Sequence, residues 1–255
     1  MEQMGRVVRK WLEGSDLRAA AAARRAGVSG STMHRILHDS VDPSVGTLEE
    51  IALACGFSLE LATRQVSDRL ASAAARSMLE DGYCPPDDPA VVEWEQRLRR
   101  WAGDDEPIGL VQAAAVAASP LHREDAVLFR GEETLARIAS AGDASNGRWA
   151  LSGPAGLNPS TPPVSPAPPV TILWCDDPRQ ASHMLTDSML TSTQQVHRAS
   201  VAVVGAEPEL FFDTFSVGIV RFVSPIQIII DCLAQGGAAA KAALNEALLW
   251  STAPP

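Results

Sequence analysis

Apolar positions in the first eighty residues recur at helical rather than strand spacing. Val7, Val8, Trp11 and Leu12 share one face of a segment over residues 4–13, while Arg6, Arg9 and Lys10 lie elsewhere. Residues 17–25, LRAAAAARR, have high helix propensity and a basic end. Gly27 supplies a left-handed residue after that helix, and Ser29 is placed to cap a third helix over residues 30–38. Ala20 or Ala21 is expected to let the two helices approach, with Val28 and Ile36 packing inward. DSVDPSVG reads as a loop. TLEE at 47–50 reads as a capping box, with Thr47 at the N-cap and Glu50 three residues on. It opens a fourth helix that runs through Ala54 and stops at Gly56; Ser58 is expected to cap a long fifth helix reaching Leu79.

The pattern then changes. DGYCPPDDP, residues 81–89, reads as a linker between a domain over 1–80 and a second over 90–255. Val91, Trp94, Leu98 and Trp101 form the apolar stripe of a helix over 90–102. Further helices are expected over 108–118, 131–139, 177–187 and 237–249, and in PIQIIIDCLAQGG. AVLF (126–129), VTILW (170–174), residues 199–205 and VGIVRFVS read as strands. Residues 153–169 hold seven prolines and read as a long loop. The expected fold class is an N-terminal all-α, five-helix helix-turn-helix domain followed by an α+β domain.

Composition narrows the classes. The chain has 255 residues, 46% hydrophobic and 20% charged, enough for two cores. It contains no apolar run of membrane-spanning length and no apolar signal core near its start, so a cytoplasmic location is expected. None of Cys55, Cys84, Cys175 and Cys232 lies in a CxxC pair, and they read as reduced, buried thiols rather than zinc ligands or disulfides. The net charge is −10, carried wholly by residues 76–255; residues 1–75 are neutral. A neutral first module can still present one basic face to nucleic acid.

The third helix opens with Ser29, Gly30, Ser31 and Thr32, followed by His34 and Arg35. A plain core hairpin would place apolar residues there; short polar residues at an outward N-terminus suit phosphate and base edges. From Gly5 to Leu61, through AAARRAGVSGSTMHRI, DPSVGTLEEIA and ACGFSL, the chain resembles the Cro/repressor (Xre-type) helix-turn-helix family. The resemblance implies that the third helix enters the major groove of double-stranded DNA. It places Gly30, Ser31 and Arg35 at base-facing sites, and Ser29, Thr32 and His34 near phosphate or groove walls. Arg24 and Arg25, closing the second helix, would meet phosphate. The long amides common at the start of such reading helices are absent here. Specificity then rests on Arg35, suited to guanine, and on Ser31. A homodimer on an inverted repeat is expected. The alternative is a module used only for protein contact.

WALSGPAGL (149–157), PPVTILW (168–174) and VRFVSPIQIIIDCL (220–233) together resemble the C-terminal domain of AbiEi-like antitoxin regulators, with Phe222, Ser224, Pro225, Gln227 and Asp231 carrying the last motif. That resemblance implies an autorepressor beside a nucleotidyltransferase-like toxin. In the alternative reading of the whole chain, this domain is an antitoxin-type module that engages a partner protein or small ligand. No nucleophile elbow, P-loop or dinucleotide fingerprint occurs, and no enzyme, catalytic residue or cofactor is expected. Asp176, Asp177, Asp213 and Asp231 lie near strand-like runs, but the chain has only Lys10 and Lys241 to accompany them as a nuclease would require. Asp231 is expected to cap or orient the helix after Pro225. His34 and His38 have the i, i+4 spacing of metal ligands without a third ligand of the right kind, so no metal is expected. Trp149, Trp174, Phe211 and Phe212 either line a ligand pocket or pack the core. The reading as a whole is a sequence-specific DNA-binding transcriptional regulator, acting as a repressor.

Overall fold

Two hydrophobic cores form, one in each of two compact units, Met1–Arg64 and Gln65–Pro255. The computed structural model describes residues 4–103, 106–132, 134–157, 169–187 and 191–252, without the side chains of 250–252. Most of the proline-rich loop expected over 153–169 lies outside the described residues.

The first unit holds α1 (Met4–Ser15), α2 (Ala19–Arg25), α3 (Gly30–Leu37) and α4 (Val45–Ala54). Val8, Ala22, Ala23, Met33, Ile36, Leu48 and Ile51 fill its core. Ala22 and Ala23 are the buried alanines of α2; Ala20, one of the two expected at the close approach, is exposed, because the helix is rotated to turn Arg24 and Arg25 outward. Gly27 adopts φ +66, the left-handed conformation that ends α2. Ser29 caps α3 as its position predicts, accepting the Thr32 N–H. The cap of α4 is Ser44, not Thr47: Ser44 Oγ accepts the Thr47 N–H at 3.2 Å, so the helix begins two residues before the capping box.

The fifth helix differs most from expectation. Residues 58–66 form no regular structure and are almost wholly exposed. Leu59, Ala62 and Val66 could share a helical face, but Val66 is 44% and Leu61 74% exposed and Leu59 alone packs on the core, so a helix there would bury almost nothing. The helix α5 runs instead from Arg69 to Leu79, capped by Asp68, whose Oδ1 accepts the Leu70 N–H. It packs against α6 (Pro89–Ala102) and α7 (Pro107–Ala117) and belongs to the second unit. Residues 81–89 therefore connect two helices of one unit rather than two domains, and Tyr83 within them is buried.

The second unit is α+β, with a mixed seven-stranded sheet. Its strands are β1 (Val127–Arg130), β2 (Trp149–Ser152), β3 (Thr171–Cys175), β4 (Thr191–Thr193), β5 (Val201–Gly205), β6 (Phe215–Val217) and β7 (Val220–Phe222). They lie in the order β4-β1-β5-β3-β2-β7-β6. The neighbours β3 and β5 are parallel, in register from Thr171 opposite Val201 to Cys175 opposite Gly205. The helices α8 (Leu135–Ala144) and α9 (Pro178–Asp187) cover one face. On the other face lies α10 (Pro225–Gln235), with α5, α7 and α11 (Gly237–Thr252) packed against it. Covering both faces explains why β2, β3 and β5 are buried along nearly their whole length. A close approach fixes α8: a Cβ on Gly142 would lie 2.5 Å from the Trp149 ring, whose Nε1–H donates to Asp143.

Candidate nucleic-acid interface

The face that α3 presents follows from what it buries. Met33 and Ile36 are each 1% exposed. At about 100° per residue, Gly30, Ser31, His34 and Arg35 fall on the opposite arc, and all four are exposed. Thr32 is half-buried beside them. Ser29 Oγ accepts the Thr32 N–H at 3.1 Å and lies 2.9 Å from the Ser31 hydroxyl and 2.8 Å from that of Thr32. Three hydroxyls thus crowd a helix N-terminus, whose free amides favour an anion. Arg24 and Arg25 close α2 and are exposed. From residue 17 to 38 the chain carries four arginines and no Asp or Glu. The first unit is neutral in sum, yet its helix–turn–helix segment is wholly basic.

The far end of α3 is pinned by residues that sequence reasoning missed. Asp39, at φ +52, accepts the Gly5 N–H with its Oδ1 at 2.8 Å. Arg9 donates to the Leu37 carbonyl and lies 3.8 Å from Asp39 Oδ2. A Cβ on Gly5 would stand 2.7 and 2.8 Å from the carbonyl oxygens of Ile36 and Leu37. The available signal was a glycine in the first turn of an otherwise well-formed helix. The rings of His34 and His38 pack on each other, centroids 4.3 Å apart. No cluster of three potential metal ligands occurs among the described residues.

A family model described as a helix-turn-helix domain matches residues 3–65. These residues form a helix-turn-helix domain. No curated protein and no solved structure matches the chain. Within the helix-turn-helix domain, Ser29, Gly30, Ser31, Thr32, His34 and Arg35 lie at the cap and on α3, and Arg24 and Arg25 end the helix before it. Trp11 packs on the domain's core and stacks with Phe57, centroids 6.4 Å apart. No helix among the described residues is long and apolar enough to cross a membrane.

The second unit's candidates separate. The residues carrying the second resemblance are architectural: Phe222, Ser224, Gln227 and Asp231 are all buried. Ser224 caps α10; Asp231, expected to cap or orient that helix, does not cap it but ties it to Trp174 on β3. Asp231 sits mid-helix instead, its Oδ1 accepting from Gln227 Nε2 at 2.8 Å and its Oδ2 from Trp174 Nε1 at 2.9 Å. Burial pushes its carboxyl up to about 6, against the pull of Ser152, Trp174, Gln227 and the Arg76 charge. Asp177 caps α9 through the N–H groups of Arg179 and Gln180. Asp176 pairs with Arg148; burial would raise its carboxyl, but these hydrogen bonds win and lower it. Asp213 occupies a turn at φ +53. These acids serve separate structural tasks.

The four aromatic candidates divide as well. Trp149 packs under α8, and Trp174 lies on the opposite face, toward α10. Phe211 lies beneath the Arg148 guanidinium, and Phe212 meets the edge of Tyr83. All four cysteines are free; Cys84 is exposed, contrary to expectation, because it sits on the α5–α6 connection. Burial pushes the Cys175 thiol up to about 12 and Cys232 well above its usual range, which keeps both protonated.

A buried cluster went unseen in the sequence. Arg76, 1% exposed, forms a bidentate pair with Glu80, donates to the carbonyls of Glu209, Leu210 and Phe212, and lies 4.3 Å from the Tyr83 ring centroid. Glu80 also accepts from Ser224 Oγ. The signal was an i, i+4 Arg–Glu pair ending an alanine-rich helix.

Proposed function

We propose that the protein is a cytoplasmic, sequence-specific DNA-binding transcriptional regulator rather than an enzyme. It represses from an inverted-repeat operator, which it occupies as a homodimer. The observation that carries this reading is the exposed arc of α3, an acid-free face of hydroxyls, histidine and arginine on a helix-turn-helix domain. In this reading α3 lies in the major groove, with Ser31 and Arg35 toward the base edges. Ser29, Thr32 and His34 lie against the groove wall, and Arg24 and Arg25 against the backbone. The second unit, with 13 basic and 23 acidic residues, is repelled by phosphate and is left free for signal or partner binding.

Selection of bound fragments from random DNA gives the operator. Salt titrations on operator and random DNA then separate reading from gripping. Arg35→Ala should cost about 1–3 kcal/mol on the operator and leave random DNA nearly unchanged. Arg25→Ala should weaken both alike and reduce the salt slope by about one phosphate's worth. Equal losses on both DNAs for Arg35→Ala would make Arg35 a phosphate contact. Failure to select any sequence would remove the reading.

A further inference from the structure

Strands β3 and β5 are adjacent and parallel, yet the chain leaves them on opposite faces of the sheet. After β3 it enters α9, which packs beside α8. After β5 it turns toward α5, where Arg76 holds the carbonyls of Glu209, Leu210 and Phe212. Divergence of this kind beyond the carboxyl ends of parallel strands opens a crevice, and open α/β sheets take their ligands there. A narrow cleft occupies this place, with about 50 Å³ open to the centre of a water-sized sphere.

The chemistry of its wall is divided. The interior is apolar, with Leu70, Trp174 and Leu210 contributing to it. Its buried polar groups already satisfy one another: Ser72 Oγ donates to Gln227 Oε1, and Gln227 and Trp174 both donate to Asp231. That leaves an apolar body as the best occupant of the interior. The rim carries charge. Arg123 lies 5.7 Å from the Trp174 ring centroid and donates two hydrogen bonds to Asp125 at 2.8 Å. Arg69 pairs with Glu207 at 2.8 Å. The carboxylate partners are more exposed than a buried pair allows, at 42% for Asp125 and 56% for Glu207. The Arg69–Glu207 pair, about half exposed on both sides, is worth little, so an incoming carboxylate can replace Glu207 at small cost. Arg123 also retains donors beyond the two it uses, in the planar fork that suits a carboxylate.

We propose that this cleft binds a small aromatic carboxylate, its ring against Trp174 and its acid group on Arg123 and Arg69. The inference is independent of the DNA reading, and the test contains no DNA. Calorimetric titration of the full chain uses benzoate, phenylacetate and indole-3-acetate, with the matching amides and with tryptamine as the cationic counterpart. At least one acid should bind saturably, one per chain, at least tenfold tighter than its amide, and tryptamine should not compete. Ala206→Phe, which fills the cleft, should abolish binding. Arg69→Gln, at the exposed rim, should reduce the acid-over-amide preference several-fold and leave thermal unfolding unchanged. No saturable binding by any acid overturns the proposal, as does equal affinity for acid and amide or tighter binding of tryptamine. Binding unchanged in both variants overturns it too. If Ala206→Phe does not fold, Arg69→Gln decides.

Discussion

Asp231 is a fully buried carboxyl in the middle of α10, and its environment sets a pH dependence of stability. Burial raises its pKa to about 6, while two hydrogen bonds from Gln227 and Trp174 hold it down. An unfolded aspartate gives up its proton near pH ~4, the folded one near 6. The folded state is therefore favoured most below pH ~4. That contribution is lost as pH rises to about 6 and is flat above, amounting to about 3 kcal/mol for a shift of about two pK units. Asp231→Asn removes the charge and keeps an acceptor for Trp174. The difference in unfolding free energy between wild type and Asp231→Asn, followed from pH 4 to 7, should drift in favour of the variant as pH rises. A pH-independent difference would show that Asp231 is ionised throughout.

At the scale of the element, α3 is held from both ends. Ser29 caps its start, and Ser29→Ala should cost about 1 kcal/mol of stability in chemical denaturation. Gly5 lets α1 meet the carbonyls of Ile36 and Leu37, and Gly5→Ala should cost about 2 kcal/mol as α1 and α3 are pushed apart. A melting midpoint within a degree of wild type would mean that the contact yields freely. The helices of this domain were legible because their punctuation is local: Gly27 and Ser29 act within one turn of their own positions. Asp39 was not legible, since its partner Gly5 is 34 residues away. In the second unit, β3 and β5 read clearly as apolar runs buried on both faces. The three-residue strands β4 and β6 lie at the sheet edges; β4 is polar throughout, and β6, Phe215–Val217, alternates over too few residues to mark a strand. The fifth helix was misplaced because helix propensity continues through residues 58–66 without a surface to bury against. Of the candidate interface, the face of α3 could be drawn from sequence, whereas the cleft beyond β3 and β5 depends on a topology that no local pattern encodes.

At the scale of the whole molecule, the reading helix is short and its reach limited. An eight-residue helix with Gly30 and Ser31 at its start and one arginine on its exposed arc can discriminate only a few base pairs. Each mismatch costs about 1–3 kcal/mol, so one domain separates its site poorly from the competing sites of a genome. Two copies on half-sites about 10 base pairs apart, centre to centre, add these terms and present both α3 helices to one side of the duplex. The basic helix-turn-helix segment grips the phosphates of any sequence alike, so discrimination has to come from the reading helices acting in pairs. Full-length protein should therefore sediment as a dimer on the operator, and a probe carrying one half-site should bind at least a hundredfold more weakly. A fragment ending at Arg64 should keep the footprint of each half-site, because the helix-turn-helix core closes within that unit, and should lose affinity if the second unit holds the dimer together. A monomer on DNA at saturation, with equal affinity for the half-site and the full operator, would show that one domain reads alone, and specificity would then have to come from the shape of the DNA rather than from paired α3 contacts.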